Sequence, residues 1–201
     1  MIVENLFPTP IGFFKYKNKL TVKENKFLLN QKTRVNQGNK CSINNRVLDD
    51  KNISKLKAFI NNSLFKYFED IYATNSKVEP YVTQSWLNYT KENEFHHRHN
   101  HSNSFISGVF YVQATSKKDK IYFFKDKYEQ LTLSTVSYNP YNSSSWWFKV
   151  ETNDLIIFPS NLTHEVANVV GKERISLSFN TFLQGNLGVN ESLTGLNLQR
   201  R

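Results

Sequence analysis

The chain has 201 residues, with 26 Lys plus Arg against 17 Asp plus Glu (formal charge +9), 39% apolar residues, and sixteen Phe, ten Tyr and three Trp. That is enough to fill the core of one compact domain, which excludes wholesale disorder, and no apolar run approaches the roughly 20 residues of a membrane-spanning helix. A single cysteine, Cys41, excludes an internal disulfide framework, and the start Met-Ile-Val-Glu-Asn lacks both a basic and an apolar leader region, so the expectation is a cytoplasmic protein without a membrane partner.

In chain order, Thr21-Val22-Lys23-Glu24 has the capping-box pattern ahead of Phe27, Leu28 and Leu29, which predicts a helix start. Ile53, Leu56, Ile60, Leu64, Phe68 and Ile71 recur at spacings of three and four, with Lys51, Lys55, Lys57 and Lys66 between them. This predicts an amphipathic helix of about five turns packed on a sheet. From Tyr81 the character changes. Tyr81–Tyr89, Ser104–Ala114, Lys120–Lys125, Leu131–Tyr138, Trp146–Glu151, Asp154–Phe158, His164–Val169 and Arg174–Phe182 read as short strands, rich in Val, Ile, Tyr, Phe and Thr and bounded by turn formers. Strands at this spacing predict a sandwich or barrel. The expected organisation is a support region over 1–80, a β core over 81–184 and a loosely attached tail over 185–201 that ends in Arg200-Arg201.

The excess of positive charge suits a polyanion, an acidic protein or an acidic small molecule. Its densest group is Lys117, Lys118, Lys120, Lys125 and Lys127, interrupted by Asp119 and Asp126. That pattern fits a solvated hairpin surface better than a nucleic-acid groove.

All five histidines lie in two places: His96, His97, His99 and His101 close together, and His164. Alternate residues on a strand share a face, so His97, His99 and His101 can point one way. Two imidazoles from one strand and one from a distant strand make a tridentate metal site, although the cluster alone reads equally as a solvated turn with one core histidine. His164 follows the apolar segment 154–158 and Pro159. Ten residues beyond it comes Arg174-Ile175-Ser176-Leu177-Ser178-Phe179-Asn180, whose period is two. Arg174, Ser176, Ser178 and Asn180 share one face. Turned inward, they are costly unless they meet a polar ligand, and an inward Arg selects a carboxylate held by two hydrogen bonds.

This combination resembles the Fe(II)- and 2-oxoglutarate-dependent oxygenases, whose pattern is His-x-Asp/Glu, a distal His, and Arg or Lys about ten residues later. More narrowly it is similar to small oxygenases of this type in bacteria and in phages of marine cyanobacteria. The matching stretches are Ser85–Asn88, His99–Tyr111, Ile156–Ser160, His164 and Arg174–Asn180, within roughly residues 80–182. The resemblance implies a mainly β fold, the double-stranded β-helix or cupin-like jelly roll, with N-terminal helices packed on one sheet. It implies Fe(II) held by His99, His101 and His164, with 2-oxoglutarate and O2 as cosubstrates. Arg174 would pair with the distal carboxylate of 2-oxoglutarate, Ser176 would donate a hydroxyl to it, Tyr111 would bond the same carboxylate, and Asn88 would touch the metal or cosubstrate. The implied reaction releases succinate and CO2 and hydroxylates a substrate C–H bond.

One departure stands out. The usual facial triad has a carboxylate where this chain has His101, so three neutral ligands leave the site at +2 rather than +1. The alternative ligand pair is His97 and His99. The pair His99 and His101 fits the offset to the strand at 107–112, which leaves His97 beside the ligands or at the mouth, and His96 and Arg98 on the opposite, solvated face. Three rivals share parts of the pattern. A cupin-type three-His dioxygenase uses no 2-oxoglutarate, but no Glu follows His101 at the cupin distance and Arg174 has no task in it. A non-catalytic metal-binding β-sandwich would present the aromatic, basic stretch Tyr138–Lys149 to a partner. A nucleic-acid demethylase of the same chemistry rests on net charge alone. The substrate, whether a small molecule or a protein side chain, is set by loops and is not written in these motifs.

Overall fold

The computed structural model describes residues 1–74, 77–125, 131 and 133–199. Asp126, Lys127, Thr132, Arg200 and Arg201, which figure in the charge and strand expectations above, lie outside the described residues. The strands in chain order are β1 (Gly12–Lys15), β2 (Thr33–Val35), β3 (Lys40–Ser42), β4 (Val78–Thr90), β5 (His96–His99), β6 (Ile106–Gln113), β7 (Lys120–Phe124), β8 (Ser145–Lys149), β9 (Asp154–Pro159), β10 (His164–Val166), β11 (Arg174–Leu187) and β12 (Leu196–Leu198). Two α-helices, α1 (Val22–Leu29) and α2 (Ser54–Tyr72), precede β4.

The strands form two sheets. The larger runs β1-β9-β6-β11-β4-β3-β2, with β12 added to the end of β11; the smaller runs β5-β10-β7-β8. Strand neighbours far apart in sequence, such as β6 between β9 and β11, make this the double-stranded β-helix that the motifs imply. The two sheets face each other over Val109 and Tyr111 of β6, Ile121 and Phe123 of β7, Val150, and Ile156 and Phe158 of β9, all buried. Alternation sends the other residues of the same strands outward: Phe110, Leu155, Ile157, Leu177 and Phe179 pack with Leu56, Ile60, Leu64 and Phe68 of α2 in a second core. The helical period therefore has its match in a sheet face. Ile71 lies past the end of that face and is exposed. At α1, Thr21 Oγ1 accepts from the Glu24 N–H at 3.2 Å, and the Thr21 N–H donates to Glu24 Oε2 at 2.7 Å, completing the capping box.

Two expectations need correction. Residues 131 and 133–138 form no strand, and Leu131, Leu133 and Val136 are exposed: their alternating pattern has no partner strand to bury it. In the C-terminal stretch, β11 extends to Leu187, and β12 folds back to pair Gly185, Asn186 and Leu187 with Leu198, Asn197 and Leu196. Short strands 3–4 residues long (β1, β2, β3 and β12) complete the larger sheet; they carry too little periodicity to be read beforehand.

Candidate metal centre and anion pocket

The centre is built where the smaller sheet meets the inner face of the larger. His164 opens β10 and sits directly across from His99 of β5. His101 lies past the end of β5, in the turn that follows, where its N–H donates to the Ser160 carbonyl at 2.9 Å. Asn103 completes that turn in the left-handed region, at φ 55°, a conformation that Asn tolerates better than most residues. One ring nitrogen from each of His99, His101 and His164 lies within 4.8 Å of the others.

Backbone carbonyls set two of the three tautomers. His99 Nδ1 donates to the His97 carbonyl at 2.7 Å, and His164 Nδ1 donates to the Leu162 carbonyl at 3.0 Å. Each Nε2 is therefore left with a lone pair, the arrangement typical of metal-bound imidazole. His101 Nε2 faces His164 Nε2 at 3.3 Å, and their rings are nearly parallel, 3° apart. Two ligands at right angles, each about 2.1 Å from one ion, would be about 3.0 Å apart, so the spacing fits a shared metal. Burial pushes His164 down to about 3 and His101 down to about 4, and lowers His99 as well. All three rings are thus uncharged donors at neutral pH. Behind His101 stands a polar relay: its ring bonds the Asn180 side chain, Ser107 Oγ donates to Asn180 Oδ1 at 2.9 Å, and Ser107 and Ser104 both bond Ser160 Oγ. Trp86 packs on the other side of His101, with ring centroids 5.7 Å apart.

Arg174, Ser176, Ser178 and Asn180 are all buried on β11, as their shared face requires. Register places Ser176 beside Asn88 of β4 and Tyr111 of β6. Arg174 is 3% exposed, yet among the described residues its one hydrogen bond runs from Nη1 to the Lys120 carbonyl at 3.3 Å, and Nε has no partner. Among the described residues no carboxylate lies within ion-pair distance of it. The Tyr111 ring lies 5.1 Å under the guanidinium; its hydroxyl is buried without a partner, and burial pushes its pKa up to about 12, so it stays a neutral donor. Asn88 Nδ2 donates to Ser178 Oγ at 3.0 Å while its Oδ1 is unpartnered. A native interior rarely leaves three such groups unsatisfied side by side, and an unpaired buried cation is the most costly of them. The two donors among them, the Arg174 guanidinium and the Tyr111 hydroxyl, are complementary to a carboxylate. Arg174 also walls a cleft of about 220 Å³ together with Lys120, Tyr122 and residues 166–170.

The second candidate ligand pair separates in space. His97 groups with His96 and His99, not with His101 and His164. Arg98 is exposed as expected, with Nε 3.2 Å from Glu165 Oε2 and its guanidinium 3.5 Å over the Phe124 ring. His96 is not on the solvated face. Between the pairs His99–His164 and His96–Val166, two residues of β5 (His97 and Arg98) oppose one of β10 (Glu165), and this bulge breaks the alternation, bringing the His96 ring onto His99. Asn180 as a partner of His101, and Trp86 against its ring, are functional contacts that the motif spacing did not single out.

Comparison with known proteins agrees with this construction. Residues 84–180, which hold all three histidines and Arg174, match the family described as "Putative 2OG-Fe(II) oxygenase". That segment, just under half of the chain, is similar to the 2OG-Fe(II) oxygenases, oxidoreductases of the class that uses Fe(II), 2-oxoglutarate and O2. The barrel is shared with a 2OG-Fe(II) oxygenase family oxidoreductase from Burkholderia pseudomallei, at TM-score 0.55 and 13% identity, covering 80% of this chain and 78% of that one. It is shared equally with HygX from Streptomyces hygroscopicus, solved with nickel, 2-oxoglutarate and hygromycin B, at TM-score 0.55 and 8% identity, covering 86% and 82%. No curated protein matches the chain in sequence. Among the described residues no helix is long and apolar enough to cross a membrane.

Proposed function

We propose that His99, His101 and His164 hold Fe(II), that Arg174 grips the far carboxylate of 2-oxoglutarate, and that the enzyme hydroxylates a C–H bond of its substrate. The observation that carries this reading is the guanidinium of Arg174. It is buried, lacks a carboxylate, leaves Nε unpartnered, and shares the barrel interior with a three-imidazole group. A three-His dioxygenase working without a diacid has no use for that arginine.

The protein's own part is to bind, orient and exclude water. The His97 and Leu162 carbonyls hold two imidazoles in the ligating tautomer, and Asn180 orients the third. Tyr111, kept protonated by burial, donates its hydroxyl to the same carboxylate as Arg174, and Ser176, its neighbour across the strand, adds a second hydroxyl. Asn88, its amide fixed by donation to Ser178, presents the acceptor Oδ1 to a water or a substrate hydroxyl beside the cosubstrate. When bound, the iron supplies oxygen activation coupled to decarboxylation of 2-oxoglutarate to succinate and CO2. Three neutral ligands leave the site more positive than a carboxylate triad would. Beside His101 a cleft of about 380 Å³, lined by Asn45, Arg46, Thr83, Gln84, Ser102, Asn103 and Asn180, offers amides, hydroxyls and one guanidinium to the polar part of the substrate. The single cysteine, buried and unpaired, is compatible with a reducing cytoplasm, where Fe(II) persists.

Anaerobic titration with Fe(II) and then 2-oxoglutarate tests the assignment. The expected result is a weak visible charge-transfer band that saturates at one equivalent of each, followed by succinate when O2 is admitted. Iron binding without the band would refute the cosubstrate assignment.

A further inference from the structure

His99 stands at the junction of two three-histidine groups. Beyond its set with His101 and His164, it contributes to a second in which one ring nitrogen each of His96, His97 and His99 lies within 4.8 Å of the others. The bulge between β5 and β10 creates this group, because strict alternation would have turned His96 away. The His96 ring stacks on His99 at 4.6 Å, His97 lies 4.7 Å from His99, and His96 and His97 are 5.2 Å apart. A further observation points to a ligand. His97 Nδ1 is buried with no hydrogen-bond partner among the described residues, a costly state for an imidazole nitrogen unless something occupies it. A site made of imidazole alone favours the borderline ions Fe(II), Co(II), Ni(II), Cu(II) and Zn(II) over Mg(II) or Ca(II).

The two groups cannot be filled independently. His99 Nδ1 is committed to the His97 carbonyl, so its single Nε2 lone pair has to serve both. None of the second group's residues is fully buried, whereas the first group ends in buried His164.

We propose that His96, His97 and His99 form an outer metal site that captures a borderline divalent ion and passes it, through the shared His99, to the inner group. The ion occupies one site or the other, never both. This goes beyond the oxygenase reading and does not need 2-oxoglutarate to bind.

Co(II) is the probe, added anaerobically to the full chain. Visible d–d absorption and metal content after gel filtration report binding, and circular dichroism reports folding. The wild type is expected to hold one Co(II). His101→Ala/His164→Ala, which lacks the inner partners, is expected to keep one Co(II) with an altered spectrum, and adding His96→Ala/His97→Ala is expected to abolish it. In the wild-type background, His96→Ala/His97→Ala is expected to keep one Co(II) at equilibrium but to load at least about tenfold more slowly by stopped flow, the scale on which supporting ligands act. Two Co(II) per wild-type chain, no Co(II) in a folded His101→Ala/His164→Ala protein, or unchanged loading in His96→Ala/His97→Ala would each overturn the proposal. If the inner double variant does not fold, the loading rate decides. Loss of Co(II) from His96→Ala/His97→Ala would instead count against the inner ligand assignment.

Discussion

Arg174→Met separates a ligand clamp from a structural cross-link. In the protein alone the guanidinium is poorly compensated: one 3.3 Å bond to the Lys120 carbonyl, an unpartnered Nε, and the Tyr111 face at 5.1 Å. The cation–π contact returns about 0.5–2 kcal/mol, less than the penalty of several kcal/mol for burying an ion. Methionine nearly keeps the volume and removes the charge, so the metal-free protein should gain about 1 kcal/mol. For a chain of this size that raises Tm by about 2–4 °C. Binding should move the other way. A charged hydrogen bond is worth about 1.5–3 kcal/mol, so 2-oxoglutarate affinity should fall about ten- to 150-fold. Thermal melts followed by circular dichroism measure the first quantity, and anaerobic titration of the Fe(II)–2-oxoglutarate band measures the second. A lower Tm with unchanged cosubstrate affinity would refute the reasoning, because it would mean that the arginine already has its partners inside the fold.

Three further outcomes test the supporting structure. His101 and His164 titrate near 4 and 3 when folded, against 6.5 unfolded; between these values only the unfolded chain takes up protons, so stability is full above pH 6.5 and falls as pH drops toward 4. Each ring should remove about 2 kcal/mol from the metal-free protein between pH 7 and pH 5, and equal denaturant midpoints at the two pH values would contradict this. Asn180→Ala, which removes the support of His101, should weaken Co(II) binding about 10- to 100-fold, and unaltered binding would show that the Ser107–Asn180 relay does not orient the ligand. Gly108→Ala drives a methyl group into the ring of Phe179, which is wholly buried, and should cost about 1–3 kcal/mol in urea unfolding; a neutral result would mean that β6 and β11 can separate at no cost.

What the sequence made legible follows the strength of its periods. The stripe from Leu56 to Phe68 buries one face of a helix, the alternation from Arg174 to Asn180 sorts a strand into one polar and one apolar face, and both elements appear where the pattern puts them. The capping box at Thr21 is local chemistry and needs no tertiary context. Strands β1 and β2 are held as edges, and β3 beside one of them, in a sheet whose other members come much later in the chain, and three or four residues carry no period of their own. Leu131–Tyr138 shows the opposite failure: alternation is necessary for a half-buried strand but does not supply a neighbour to pair with.

The histidine run shows how far strand alternation can be trusted. It groups His99 with His101, and the structure does bring them together, but for a different reason: His101 has already left β5 and is carried back by a turn anchored on the Ser160 carbonyl. The same rule sends His96 to solvent, and there it fails, because one extra residue opposite β10 cancels the two-residue period. Bulges of this kind depend on the partner strand, which lies more than sixty residues away in sequence, so no local pattern announces them. The consequence is chemical as well as geometric. A straight β5 would offer its inner face two histidines at most, whereas the bulged strand gathers three rings around His99 without moving the nitrogen that faces His164. His96→Ala/His97→Ala therefore removes the outer group and leaves His99 opposite His164, and with it the inner group, standing.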